Sequence, residues 1–198
     1  RKLPYSLNRC LEYADTEYVA RMDGDDISKP ERFEKEIEFL DSHPEYALVS
    51  CPMEYFDENG VFMVGKDELE PTAKSFLKGP PFSHAAVMMR TEDLKSVGAY
   101  TVARWTQRGQ DVHLWAKFIS NGYKGLNLQC ALYKMRDDKN AYKRRNFQDA
   151  VMSIRRTYEI YQLLQMPYIY YYRIFRQLAV WLLPYKLYQY LHIKKRQK

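Results

Sequence analysis

Apolar positions along the first two-thirds of the chain come in short runs that switch between a helical and an extended period. Leu3, Leu7 and Leu11 fall at helical spacing and predict a helix over 4–14, ended by the polar turn Asp15-Thr16-Glu17. Tyr18-Val19-Ala20-Arg21-Met22 reads as a strand that runs straight into Asp23-Gly24-Asp25-Asp26. A second helix starts near Pro30, a residue suited to a first turn, with Ser28 and Glu31 spaced as a capping box. Phe33, Ile37 and Leu40 give that helix an apolar face, and Pro44 lies just beyond its end. Tyr46 to Met53 predicts a strand, and Asp57-Glu58-Asn59-Gly60 a turn from which Val61 to Val64 returns as a hairpin.

Residues 71–78 predict a short helix, closed by Gly79-Pro80-Pro81, which cannot continue it. Phe82 to Arg90 reads as a strand with His84 near its start, and Thr91 to Val97 as a helix stopped by Gly98. Asp111 to Asn121 is a stronger helix: Leu114, Trp115, Phe118 and Ile119 share a face, and Gly122 is a natural stop. Asn127 to Met135 predicts a further strand, and from about Asn146 the pattern is helical, interrupted at Pro167 and Pro184. There is no internal repeat. Strands alternating with helices predict an α/β domain over 1–138 and a helical region over 139–198.

A chain of 198 residues suffices for one domain with a real core, with or without a helical appendage. At 46% apolar residues it is not a disordered protein. Cys10, Cys51 and Cys130 are widely spaced and odd in number, which argues against a disulfide framework and for a reducing compartment. None belongs to a CxxC pair, so a zinc site is not expected.

Charge divides the chain. No acidic residue follows Glu159, whereas Arg173, Arg176, Lys186, Lys194, Lys195, Arg196 and Lys198 do. Removing those seven charges from the total of +6 leaves −1 on residues 1–159. The same tail holds Tyr168, Tyr170, Tyr171, Tyr172, Tyr185, Tyr188 and Tyr190, with Trp181. Its longest uncharged run around Trp181, Gln177 to Tyr185, is too short to span a bilayer. Aromatic rings beside cations suit the headgroup region, so amphipathic helices over 168–193 are expected to dock on an anionic membrane surface. That places the protein in the cytoplasm, peripheral on the inner face of the cell membrane. Helices packed on the domain with a solvated basic end are the alternative. Nucleic acid is not expected as a partner, because the aromatics sit among aliphatic residues and form no open platform.

Asp23, Asp25 and Asp26 put three carboxylates within four residues at the end of an apolar strand. Their repulsion is relieved by a cation or by solvent. Mg²⁺ and Mn²⁺ prefer such oxygens and leave positions open for phosphate. Gly24 lets a ligand approach the backbone, and in open α/β sheets ligands bind at the carboxyl ends of strands. A solvated acidic turn is the other reading of the same spacing; an EF-hand loop is excluded by the missing later ligands.

The run Leu3-Pro4-Tyr5-Ser6-Leu7-Asn8-Arg9-Cys10-Leu11, then Tyr18 to Asp26, then Pro30-Glu31-Arg32-Phe33, resembles the inverting family-2 glycosyltransferases of GT-A fold. The resemblance extends by order of motifs to about residue 136: the histidine-containing strand at His84 to Met89, the helix and turn of Asp93 to Tyr100, and Gly109-Gln110-Asp111-Val112-His113-Leu114-Trp115, which matches the segment carrying the family's base. It departs at Gln110, where the family has Glu, and at His113, where it has Asp. The family's opening strands, with their first nucleotide-binding carboxylates, are absent, so an N-terminal portion is expected to be missing and the fragment to bind nucleotide weakly and turn over poorly.

The resemblance implies a GT-A-like mixed-sheet α/β fold lacking its first strands, followed by C-terminal helices. It implies sugar transfer with inversion from a nucleotide-diphosphate sugar, a UDP-sugar, to a glycan or lipid-linked acceptor in polysaccharide or cell-envelope glycan synthesis. Asp111 would be the base that takes the acceptor proton. Asp23, Asp25 and Asp26 would hold Mn²⁺ or Mg²⁺, which stabilises the departing diphosphate. Arg21, His84, Arg104 and Arg108 would face the donor diphosphate, and Trp105 and Gln110 the acceptor. Each has an ordinary structural counterpart: a helix N-terminal acid for Asp111, a satisfied core histidine for His84, solvated loop arginines, and a lid residue for Trp105. His113 points to a different side of its helix from Asp111, and His43 and His192 are surface residues. Two rival functions stay open at this stage: a non-catalytic membrane-associated binding module, and a nucleotidyltransferase using the same acidic cluster.

Overall fold

Two four-stranded sheets organise the chain in the computed structural model, which describes residues 2–137 and 147–175, with Ala179 and Leu182 beyond them. In order the elements are α1 (Leu3–Leu11), β1 (Tyr18–Ala20), β2 (Ile27–Ser28), α2 (Arg32–Ser42), β3 (Tyr46–Ser50), β4 (Met53–Asp57), β5 (Gly60–Val64), β6 (Met88–Arg90), α3 (Thr91–Ser96), α4 (Gln110–Ser120), β7 (Lys124–Asn127), β8 (Tyr133–Arg136) and α5 (Phe147–Leu163). Short 3₁₀ turns occupy Ala73–Leu77, His84–Ala86, Arg104–Thr106 and Tyr168–Phe175.

The first sheet runs β1-β6-β3-β7, and the second β2-β8-β4-β5. In the first, β3 is buried along its whole length, antiparallel to β6 and parallel to β7. Two expected strands are divided because the chain changes sheets inside an apolar run. Tyr46 to Met53 is not one strand: β3 ends at Ser50, and β4 starts at Met53 in the other sheet, with Pro52 between them unable to donate a ladder hydrogen bond. Asn127 to Met135 likewise divides into the end of β7 and β8. Phe82 to Arg90 forms a 3₁₀ turn at His84–Ala86 before it becomes β6, and 71–78 forms a 3₁₀ turn where an α-helix was expected.

Leu11, Leu48, Phe82, Met89, Leu94 and Trp115 pack together as the main core between the first sheet and α1, α3 and α4. Each such burial contributes about 1.5–3 kcal/mol. On its other side α4 meets the C-terminal region: Ala116 packs with Ile160, Tyr161, Met166 and Ile174.

Helix α2 corrects the sequence pattern most sharply. Phe33 and Ile37, the expected apolar face, are exposed, and the buried face is Arg32, Glu36 and Leu40. Arg32 Nε donates to Glu36 Oε1 at 3.0 Å with both side chains fully buried. Its Nη2 donates to the carbonyls of Arg21 (3.1 Å) and Val87 (3.3 Å), and the guanidinium lies over the Tyr133 ring. A buried cation with these partners joins α2 to the end of β1 and to β6. Burial lifts the Glu36 carboxyl to about 7 against the pull of Arg32. The expected capping box is not formed: Glu31 is the N-cap and makes no side-chain cap bond.

Candidate active site

The acidic loop is where the chain passes from one sheet to the other. Arg21 continues the β1 ladder, its N–H donating to Val87 at 2.9 Å; Asp23 to Asp26 cross over, and β2 then pairs with β8. The second sheet holds the loop firmly. The Asp23 N–H donates to the Tyr133 hydroxyl at 3.0 Å, and that hydroxyl donates to Asp26 Oδ2 at 3.0 Å. Asp26 Oδ1 accepts from the Arg136 N–H at 2.8 Å. Both oxygens of Asp26 are thus used to fasten β8. Burial raises its pKa, the two hydrogen bonds lower it, and Asp25 and Asp23 raise it further.

The expected convergence of three carboxylates is therefore not found. Among the described residues no group of three His, Cys, Asp or Glu side chains is arranged to hold a metal ion. Asp26 is turned to the protein, Asp23 pairs with Arg21, and Asp25 stands exposed. Asp25 and the Asp23 oxygen not engaged by Arg21 are left, and two carboxylates completed by substrate phosphate oxygens are an ordinary arrangement for Mg²⁺.

His84 is the point at which separate elements meet. Its Nε2 lies 2.9 Å from the Tyr100 hydroxyl, and its ring is edge-on to both Tyr100 (5.6 Å) and Trp115 (6.0 Å). Burial lowers its pKa; Asp111 then raises it, Arg21 lowers it and Asp23 raises it. One imidazole therefore feels a carboxylate from the start of α4 and the Arg21–Asp23 pair from the end of β1. Tyr100 stands in the same field: burial raises its pKa strongly, with Arg21 opposing and Asp111 adding. Tyr100 is itself pinned by α1, because Asn8 exchanges two hydrogen bonds with its backbone at 2.8 and 3.0 Å.

Asp111 lies in the first turn of α4, launched from Gly109 at φ +77°. A side chain at 109 would be strained by that backbone and would also meet Arg156, whose Nε lies 2.7 Å from where a Cβ would stand. Arg156, on α5, donates from Nη1 to the Arg108 carbonyl at 2.5 Å. Burial lowers its pKa, opposed first by Asp111 and then by Asp149. Arg108 bridges to Asp149 at 2.8 Å. So the 104–111 loop is clamped from beneath by α5.

The remaining expected site residues fall as follows. Arg104 and Arg108 are exposed and face α5, not the Arg21–Asp23 pair. Trp105 packs edge-on against His113 at 4.9 Å, and burial lowers the His113 pKa to about 4. Gln110, expected at the acceptor, is buried at 6% exposure. Sequence reasoning assigned no role to Tyr133, Tyr100, Asn8 or Arg156. Tyr100 and Asn8 lay within the quoted motifs; Tyr133 and Arg156 lay on elements with no motif at all.

Comparison with known proteins identifies the family and the fold. The sequence pattern of Glycosyl transferase family 2 matches residues 1–98. A Bacillus subtilis (strain 168) protein named as a glycosyltransferase, EpsE, is 40% identical over 173 residues, 86% of this chain and 62% of its own length. The Escherichia coli UDP-Gal:alpha-D-GlcNAc-diphosphoundecaprenol beta-1,3-galactosyltransferase is 31% identical over 165 residues, 81% of this chain and 57% of its own. Among solved structures, Staphylococcus aureus TarS with UDP-GlcNAc superposes with TM-score 0.60 at 16% identity, over 91% of this chain and 52% of that one. The mannosyltransferase PcManGT of Pyrobaculum calidifontis, with GDP-Man and Mn²⁺, gives 0.58 at 17%, over 91% and 49%. The fold is the mixed α/β fold of GT-A glycosyltransferases. The chain belongs to glycosyl transferase family 2. It spans about half to three-fifths of the length of these relatives.

Proposed function

We propose that this chain carries the acceptor-side part of a metal-assisted inverting transfer. A sugar passes from a UDP-sugar to a hydroxyl of a glycan or lipid-linked acceptor, in polysaccharide or cell-envelope glycan synthesis. The observation that carries the proposal is the meeting at His84 of Asp111 with Arg21 and Asp23. A base and a phosphate-facing pair, from elements far apart in sequence, act on one small space. The relatives give the substrate classes their support: one is named for UDP-Gal and a diphosphoundecaprenol-linked acceptor, and two structural neighbours hold nucleotide sugars.

In this scheme the acceptor oxygen attacks the anomeric carbon from the face opposite the bond to diphosphate. Asp111 takes the hydroxyl proton as the new C–O bond forms. The diphosphate leaves with the electron pair of the broken bond, and the anomeric centre inverts. Arg21 meets the developing charge, and His84, kept largely neutral by burial, is held by Tyr100 where it can hydrogen-bond a phosphate oxygen. Asp23 and Asp25 are the residues that would hold Mn²⁺ or Mg²⁺; the ion neutralises charge on the leaving diphosphate when bound.

The test is Asp111→Asn in the full-length protein. Transfer should fall by about 10²–10⁴-fold, while UDP-sugar affinity, read by equilibrium titration, stays as in the wild type. Transfer at the wild-type rate would remove Asp111 from the mechanism.

A further inference from the structure

Between the 104–109 loop and the first half of α5 lies a cavity of about 190 Å³. This is on the order of six water volumes, room for a phosphoryl group and too little for a nucleotide sugar. Among the described residues Lys2, Arg104, Arg108 and Arg156 line it, and Asp149 is the one acid there. Arg108 already meets that acid at 2.8 Å, so the lining keeps a positive excess. Arg156 makes no ion pair within 4.0 Å among the described residues, although the charges of Asp111 and Asp149 favour its cation. It is held beneath the Gly109 turn, its Nη1 is given to a neutral carbonyl, and burial disfavours its charge.

The position of the cavity separates it from the donor side. The charges of Arg21 and Asp23 both reach His84, and that of Arg21 reaches Tyr100, whereas Arg104 and Arg108 line the cavity beside α5. Asp111 is the group whose charge reaches both His84 and Arg156. An anion in the cavity would sit beside the turn that leads into Asp111, against residues that do not include the Arg21–Asp23 pair, where a group attached to the acceptor sugar could reach it.

We propose that this cavity is a subsite for the phosphate or diphosphate ester through which the acceptor is carried, a conclusion that rests on Asp111 being the base for the acceptor hydroxyl. The arginines supply paired N–H donors matched to phosphate oxygens. The site selects acceptors that are activated or lipid-borne through phosphate over free glycans carrying the same terminal sugar.

The test is calorimetric titration of the full-length protein with inorganic pyrophosphate in EDTA, so that no metal contributes. Arg104→Gln/Arg108→Gln removes two exposed side chains, and an unchanged melting temperature checks that the fold is kept. Pyrophosphate binding should weaken at least tenfold in that variant and stay unchanged in Asp23→Asn/Asp25→Asn. Farnesyl diphosphate should displace pyrophosphate, and UDP should not. Wild-type affinity in the arginine variant would overturn the proposal. Displacement by UDP as effective as by farnesyl diphosphate would also overturn it, assigning the cavity to the donor. This readout does not pass through catalysis: an Asp111→Asn protein that transfers normally would defeat the proposed function and leave the binding result standing.

Discussion

At the scale of single residues, the three aspartates of the acidic loop stand in different environments. Asp26 accepts hydrogen bonds from Tyr133 and from the Arg136 N–H, so Asp26→Ala strands two donors. It should destabilise the protein by about 1–3 kcal/mol, measured by urea denaturation. Asp25→Asn, at an exposed carboxylate, should leave the denaturation midpoint unchanged and raise the Mn²⁺ concentration needed for half-maximal transfer about tenfold or more. Equal loss of stability in both would mean that the loop holds its aspartates for structure alone. His113 gives a pH signature. Its folded pKa, about 4, lies below its ordinary 6.5, and its Nδ1 is buried with no hydrogen-bond partner among the described residues. Between those values the unfolded chain binds a proton that the folded chain does not, so stability is present above pH 6.5 and is lost as pH falls toward 4. Glu36, with its raised pKa, acts in the opposite sense between 4.5 and 7. The check is the difference between wild type and His113→Gln in denaturation midpoint across pH 4–7: the variant should lose less on acidification.

At the scale of elements, the sequence was legible where one apolar stripe decides the fold. Helix α4 lies within one residue of its expected bounds because Leu114, Trp115 and Phe118 face one core. Helix α2 was misread because its buried face is an ion pair, Arg32 with Glu36, and apolar periodicity has no means of registering one. The changes of sheet at Cys51-Pro52 and between β7 and β8 were invisible for a different reason: apolar runs continue through them. Of the residues in the proposed site, Asp23, His84 and Asp111 stand in motifs visible in the sequence. Tyr133 and Arg156 could not, since their roles arise from β8 and α5 folding back on distant loops. The clamp by α5 makes its own prediction. Gly109→Ala should cost about 1–2 kcal/mol from the left-handed backbone alone, and more from displacing Arg156. Transfer should fall further than stability does, because Asp111 moves with the turn. A variant equal to wild type in both melting temperature and kcat would show that α5 does not position the base.

At the scale of the whole molecule, the basic, tyrosine-rich end divides its tasks within the described residues. Ile174 is buried, Tyr170 and Tyr171 pack on the α4–α5 cluster, and Arg173 donates to the Leu77 carbonyl at 2.8 Å. Tyr168, Ile169, Tyr172 and Phe175 are exposed. The amphipathic helices expected over 168–193 correspond here to a 3₁₀ segment, Tyr168–Phe175, and the stretch from 176 lies outside the described residues apart from Ala179 and Leu182. Among the described residues no helix is long and apolar enough to cross a membrane. We propose surface docking on an anionic leaflet, each cation near the surface adding on the order of 1 kcal/mol. Co-sedimentation with anionic vesicles should weaken, without vanishing, at high salt and should be lost on removing residues 176–198. Equal pelleting with and without them would leave the basic end as an ordinary solvated terminus.

The proposed transfer has one reaction geometry, in which Asp111 would deprotonate an acceptor hydroxyl that attacks opposite the diphosphate beside Arg21 and Asp23. The anomeric proton of the product reports on it directly. Proton NMR of transfer from an α-linked UDP-sugar by the full-length protein should show a β-linked product accumulating with wild type and none with Asp111→Asn. An α-linked product, or a β-linked product formed equally well without Asp111, would contradict it.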